Sequence, residues 1–284
     1  MPRVASQLEH SAGGRELFAA LVAKQSFALH RLSSHPLNLK TLVLDIGNTA
    51  TKAGCFADGQ LQETLTNLTP AAVRALLQRW QPQHLLVASV AAPAAEWATE
   101  LQPLVPGWVL AFAPGTTAVP LANAYATPAT LGADRLAAAV GAAGRWPGQA
   151  VLVIDAGTAL KLDLVTADST YHGGSIAPGL AMRLRALHEF TGRLPLLPLP
   201  GPDATVALVG GSTEGSVLSG VVNGTAAELN GLLAQYRAHY QGLAVVLTGG
   251  DAAFLAPRLA GSIFVVPELV LLGLYRILAY NVEA

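Results

Sequence analysis

The run Leu42-Val-Leu-Asp-Ile-Gly-Asn-Thr-Ala-Thr-Lys52 gathers a carboxylate, a glycine, short polar side chains and a lysine into one short turn. These are the parts that hold a phosphate chain and its metal. They offer backbone N–H groups open to close approach, hydroxyls, a cationic point charge and an oxygen ligand for a hard cation. An ordinary hairpin turn would use the same Asp and Asn to bond its own backbone. Recurrence favours the phosphate reading. Val151-Leu-Val-Ile-Asp-Ala-Gly-Thr158 repeats the order of apolar run, Asp, small apolar residue, Gly and Thr. Asp45 and Asp155 stand 110 residues apart, a spacing that suggests a duplicated half and not a short-period solenoid. Two related halves would set two phosphate turns facing each other across a cleft.

Each turn needs strands to carry it. The apolar runs before Asp45 and Asp155 read as buried strands, and Ala53–Phe56 and Ala159–Val165 read as the returning strands. Thr69–Trp80 reads as a helix with Pro70 in its first turn, where a missing N–H costs little. Strand His84–Val90, a short helix around 92–101 and strand Trp108–Phe112 follow. A Pro-, Thr- and Ala-rich loop covers 113–130. Gly132-Ala-Asp-Arg135 then opens a helix running through Ala143, and Pro147-Gly148 closes this half. Beyond the second hairpin come a glycine-rich turn at His172–Gly179, a helix at Leu180–Phe190 and a proline-rich loop at Leu194–Pro202. A helical pattern spans Thr213–Tyr236. Strand Ala244–Leu247 runs into Thr248-Gly-Gly-Asp251 and a further helix, before strand Ser262–Val266 and a helix at Glu268–Tyr280. Alternating strands and helices of this length predict an α/β layer fold. Residues 1–40 are expected to be an N-terminal extension with an amphipathic helix at Arg15–Leu32. Residues 41–150 form the first half and 151–284 the second.

Composition narrows the class. The chain is 52% hydrophobic and 12% charged, ample for a sizeable core. A net charge of −1 without a polybasic tract argues against nucleic-acid and membrane-surface partners. The single cysteine, Cys55, excludes an intramolecular disulfide and fits a reducing compartment. Pro, Gly or a charge interrupts every apolar run before it could span a bilayer. A cytoplasmic protein is expected. The histidines show no metal-ligand spacing, and His172 and His188 read as structural or surface residues.

A longer set of motifs points further. It comprises Asp45-Ile-Gly-Asn-Thr49 with Lys52, Ala88-Ser-Val90, Gly132-Ala-Asp-Arg135 with Tyr125 upstream, and Asp155-Ala-Gly-Thr-Ala159. Gly173-Gly-Ser-Ile-Ala-Pro-Gly179, Thr191-Gly-Arg-Leu-Pro195, Thr213-Glu214, Thr248-Gly-Gly250 and Leu271-Leu-Gly-Leu274 follow. In this order, across residues 41–284, they resemble the type III pantothenate kinases, a branch of the actin and sugar-kinase superfamily. Each motif alone is weak; the ordered set is strong. The resemblance implies two ribonuclease-H-like, actin-like ATPase halves around a nucleotide cleft. It also implies ATP-dependent phosphorylation of pantothenate to 4′-phosphopantothenate, the first step of coenzyme A synthesis. A homodimer, Mg²⁺ and a monovalent cation, K⁺ or ammonium, belong to the same implication.

Carried over residue by residue, the resemblance assigns Asp45, Ile46, Gly47, Asn48, Thr49, Ala50, Thr51, Lys52 and Thr158 to ATP. Asp45 would also hold Mg²⁺, and Asp155 the monovalent cation. Gly132, Ala133, Asp134 and Arg135 would line the pantothenate site with Tyr125 and Thr213, and Thr248-Gly-Gly250 would border the adenosine. Asp134 is the candidate general base, since phosphoryl transfer asks mostly for positioning and charge neutralisation. Its place in a first helical turn also favours a negative charge by roughly 0.3–1 kcal/mol, whatever its role. Arg135 could grip a substrate carboxylate with its fork or form a structural ion pair. Two other functions remain open: a kinase for another small hydroxylated substrate, and a catalytically silent regulator. Intact Asp45, Asp134, Arg135 and Asp155 argue against silence.

One departure stands out. Where the family usually has two threonines after Gly-Thr-Ala, this chain has Leu160 and Lys161. In a strand, Lys161 and Asp163 share a face, so Lys161 is expected to point away from the core and pair with Asp163. The sharper alternative is that its ammonium replaces the monovalent cation near Asp155.

Overall fold

The apolar runs before the two aspartates become inner strands of two sheets in a computed structural model, which describes residues 39–91, 93–202 and 204–283. The extension helix expected at Arg15–Leu32 lies outside the described residues. The first sheet is built from β1 (Thr41–Ile46), β2 (Thr51–Ala57), β3 (Gln60–Leu65), β4 (His84–Ser89) and β5 (Val109–Ala111), with helices α1 (Pro70–Trp80) and α2 (Ala94–Leu101) between strands. Its order is β3-β2-β1-β4-β5. The first three strands are antiparallel, and β4 and β5 run parallel to β1.

The chain then forms β6 (Ala122–Asn123), α3 (Ala133–Arg145), β7 (Val151–Ala156), β8 (Ala159–Val165) and β9 (Thr170–Pro178). Next come α4 (Leu180–Glu189), α5 (Thr213–Leu218), α6 (Gly224–His239), β10 (Ala244–Thr248), α7 (Ala252–Leu255), β11 (Phe264–Val265) and α8 (Leu269–Val282). The second sheet has the order β11-β10-β7-β8-β9-β6. Around β7 it repeats the first: an antiparallel hairpin and third strand on one side, parallel strands on the other. The duplication read from two short motifs therefore extends through five strands of each sheet.

Local chemistry explains the elements. Helix α1 starts where Thr69 accepts a hydrogen bond from the Ala72 N–H, with Pro70 at its first position. It stops at Gln81, whose φ of 51° is left-handed. Strand β3 was not anticipated, although its side chains alternate between exposed and half-buried. The stretch His172–Gly179 is not a turn but most of β9. Gly174 is there because a Cβ would lie 1.8 Å from the Leu162 carbonyl oxygen, and Gly173, at φ +78°, leaves room for the Tyr125 ring. The helical pattern at Thr213–Tyr236 is α5 and α6 joined by a wider π turn at Ser219–Asn223. The loop over 113–130 contains the short β6.

Helices α3 and α8 lie between the two sheets and hold them in place. One face of the pair packs Leu136, Val140, Leu274 and Leu278 against Val43, Phe56 and Leu86 of the first sheet. Ala138, Ala142 and Leu269 pack against Val151, Val153 and Val246 of the second. The helices touch backbone to backbone. A Cβ on Gly273 would sit 1.7 Å from the Ala137 carbonyl oxygen, and one on Gly141 2.5 Å from that of Leu269. This contact fixes the helix whose first turn carries Asp134. Among the described residues no helix is long and apolar enough to cross a membrane.

Candidate active site

The site is built from two matching turns. Across β1 and β2, Asp45 stands opposite Lys52; across β7 and β8, Asp155 stands opposite Lys161. Gly47 N–H donates to the Ala50 carbonyl at 3.1 Å, and Gly157 N–H to that of Ala159 at 3.2 Å. The turns meet where Thr49 Oγ1 and Thr158 Oγ1 lie 3.0 Å apart. The two turns thus face each other.

Helix α3 enters from the side. Asp134 Oδ1 accepts from the Arg135 N–H at 2.9 Å. Gly132 makes that fold-back possible, because a Cβ there would lie 2.6 Å from the same oxygen. Asp134 Oδ2 accepts from Lys161 Nζ at 2.6 Å, and Lys161 also donates to Asp155 Oδ2 at 2.7 Å. One ammonium therefore bridges the helix aspartate and the second-turn aspartate.

The expected Lys161–Asp163 pair does not form. Asp163 is 2% exposed and is held by Arg135, whose Nη2 donates to Oδ1 at 2.6 Å and whose Nε lies 3.1 Å from both oxygens. The Tyr171 hydroxyl donates to the same carboxylate at 2.7 Å. Position along β8 explains the exchange. Lys161 lies opposite Asp155 at the cleft, whereas Asp163 lies opposite Val153, deeper beneath α3. A carboxylate that deep needs several donors, and the guanidinium fork supplies two in one plane. Arg135 Nη1 also reaches the Tyr125 hydroxyl at 3.4 Å, with the guanidinium carbon 5.5 Å from the Tyr125 ring centre.

Charge is concentrated here. Burial, reinforced by Asp134 and Asp155 and opposed by Lys52 and Lys161, pushes the Asp45 carboxyl up to about 6. Burial works against the Lys161 charge, but Asp155 and Asp134 outweigh it and hold the ammonium above the ordinary lysine range. Burial likewise raises Asp163 despite its bonds to Arg135 and Tyr171.

Other expected residues lie at varied distances from this cluster. Gly249, at φ +94°, closes on the second turn: a Cβ would lie 2.6 Å from Asp155 Oδ1. Thr248 is buried, and its hydroxyl donates to the Pro267 carbonyl at 3.2 Å. Thr213 is exposed in the first turn of α5, and no hydrogen bond among the described residues joins it to Asp134. His172 meets Thr166 and His188 meets the Leu194 carbonyl, both in exposed positions. Sequence reasoning missed Tyr171 and the service Asp163 gives to Arg135. The signal was present: Lys-x-Asp on a strand faces consecutive Asp-Arg on a helix.

Comparison with known proteins points to one family. A family model described as type III pantothenate kinase matches residues 41–235. A type III pantothenate kinase of Cytophaga hutchinsonii is 40% identical over 241 residues, covering 85% of this chain and 99% of the relative. One from Porphyromonas gingivalis is 41% identical over 245 residues, covering 85% and 98%. Among solved structures, a Campylobacter jejuni protein described as a Baf family transcriptional activator superposes with a TM-score of 0.57. It is 21% identical, with 86% of this chain and 100% of the other covered. A Sinorhizobium meliloti protein described as a 2-dehydro-3-deoxygalactonokinase gives 0.50 at 15% identity, covering 84% and 97%. Paired sheets of one topology set the fold, and the family model and curated relatives set the class, a kinase. The chain belongs to the type III pantothenate kinase family.

Proposed function

We propose that this chain transfers the γ-phosphoryl group of ATP to the primary hydroxyl of pantothenate, giving 4′-phosphopantothenate for coenzyme A synthesis. The observation that carries this reading is the convergence of Asp134 with both turns: Lys161 ties it to Asp155, and Thr49 meets Thr158. Asp134 acts as base. Its carboxylate retains acceptor capacity beyond the two bonds described and is 21% exposed toward solvent. It takes the hydroxyl proton as the substrate oxygen bonds to phosphorus; the bond from phosphorus to the ADP oxygen breaks, and ADP leaves with those electrons. Residues 45–52 and Thr158 cradle the phosphates. Gly132, Ala133, Arg135, Tyr125 and Thr213 line the pantothenate side.

Asp45 suits Mg²⁺. Its carboxyl is raised by burial and by two neighbouring carboxylates, a field that a dication would relieve. Among the described residues no three His, Cys, Asp or Glu side chains form a metal cage. None is required for an ion that binds through one or two carboxylates plus substrate phosphates. When bound with ATP, that ion would neutralise charge on the phosphates. A cytoplasmic homodimer completes the reading. It is supported by Ile176, Phe190, Leu208 and Val209, which are 62%, 84%, 81% and 82% exposed, apolar surface that a second copy could cover.

A coupled ADP-release assay with ATP and pantothenate tests the activity. Wild type should release ADP only when pantothenate is present. Asp134→Asn should be slower by about 10²–10⁴-fold, the usual contribution of a general base. Absence of pantothenate-dependent ADP from folded wild type rejects the substrate, and equal rates in the two proteins reject Asp134 as base.

A further inference from the structure

The position beside Asp155, where the family resemblance implies K⁺ or ammonium, does not suit a free monovalent cation in this chain. It is already filled. Lys161 Nζ lies 2.7 Å from Asp155 Oδ2 and 2.6 Å from Asp134 Oδ2, and the three side chains are only 14%, 15% and 21% exposed. A potassium ion there would have to displace an ammonium from two carboxylates and leave it in a poorly hydrated site. Losing a partner from such a group is strongly unfavourable.

The topology gives this lysine a pedigree. Lys161 occupies in the second hairpin the position that Lys52 occupies in the first, directly opposite the turn's aspartate. The two halves therefore present mirrored Asp–Lys pairs to the cleft. An alkylammonium and a free ammonium ion carry the same charge and donate N–H bonds in the same way. A lysine ammonium has three N–H donors. Two are engaged by Asp134 and Asp155.

We propose that the Lys161 ammonium is a tethered monovalent cation. It holds Asp134 and Asp155 together and supplies, from within the chain, the charge that a dissolved cation would otherwise bring. Lys161 is thus a positioning residue. It acts on the reaction through the placement of Asp134 and of the phosphate turn at Asp155. This inference rests on the kinase reading, and its test is arranged so that the two can fail separately.

The experiment compares tetramethylammonium, potassium and ammonium chlorides at equal ionic strength, using the full chain. Wild type should turn over pantothenate equally well in all three. Lys161→Ala in tetramethylammonium should lose about 100-fold in kcat, the loss typical of misplacing a catalytic group by about 1 Å. Ammonium or methylammonium should restore part of that loss. Wild-type turnover that depends on potassium or ammonium overturns the proposal. So does a Lys161→Ala protein that keeps the wild-type rate in tetramethylammonium, or one that folds but cannot be rescued. The wild-type comparison needs no variant and decides the matter if Lys161→Ala does not fold. If pantothenate is not a substrate in any salt, the kinase reading fails instead. Calorimetric binding of Mg·ATP to wild type then reads Lys161 directly. Equal affinity in tetramethylammonium and potassium supports a tethered cation, and affinity that rises with potassium overturns it.

Discussion

Asp45 offers a test in which stability and function move in opposite directions. Its carboxyl lies near the end of β1, and burial, reinforced by Asp134 and Asp155 and opposed by Lys52 and Lys161, raises it from 3.8 to about 6. Between those values the folded chain holds a proton that the unfolded chain has released, so stability falls as pH rises. Below about pH 4 both states are protonated and the penalty is absent; above about pH 6 both are ionised and the full penalty is present. A rise from 3.8 to about 6 corresponds to ~3 kcal/mol against the ionised folded state. The cleft admits water to part of the carboxylate, so an observable of about 1–2 kcal/mol is expected. Asp45→Asn removes the charge and keeps the shape. Without ligand at pH 8 the variant should therefore melt several degrees above wild type, at roughly 2–4 °C per kcal/mol for a chain of this size. At pH 3 the two should nearly coincide. Mg·ATP should then reverse the order by stabilising wild type more, because ligand binding to the folded state adds its own free energy. Thermal melts from pH 3 to 8, with and without Mg·ATP, read all of this. A variant no more stable than wild type at pH 8, or one that keeps the wild-type slope between pH 4 and 6, would refute the reasoning.

Asp163→Asn should destabilise the fold by about 3–5 kcal/mol in urea titrations, because it strands the buried Arg135 guanidinium. Adding Arg135→Met should recover much of that loss; a single variant within experimental error of wild type would contradict the buried-pair account. The proposed homodimer should sediment as a dimer at micromolar concentration, and Phe190→Glu should shift it toward monomer. Monomeric wild type would remove that part of the reading.

The parts of the site visible in the sequence were those whose chemistry is local. Asp, Gly and Thr within a few consecutive residues announce a phosphate turn, and an apolar run before them announces its strand. Strand β3 was legible but unread. Asp58 and Gly59, at φ 51° and 76°, supply the Asp-Gly hairpin turn that joins β2 to β3. The glycines at 173 and 174 misled because their reason lies elsewhere, in the Tyr125 ring and the Leu162 carbonyl that press on β9. The partner of Lys161 was hidden for a similar reason. Strand periodicity correctly placed Lys161 and Asp163 on one face, but it could not bring α3 over that face with Asp134 and Arg135 in successive positions. The duplication was legible in outline, because two matching turns imply matching hairpins, but the sandwiched pair α3–α8 was not.

That pair has a consequence for how the protein is made. Helix α8 packs on strands β1, β2 and β4 as well as on α3, yet it leaves the ribosome after every strand of both sheets. The first sheet therefore cannot cover its inner face, nor seat the helix bearing Asp134, while synthesis is still in the second half. Its apolar face must wait for a distant segment, which slows folding and leaves the nascent chain prone to association. The Gly273–Ala137 contact is where biosynthesis completes the fold: a chain released before it would carry every turn residue and have no firm place for Asp134.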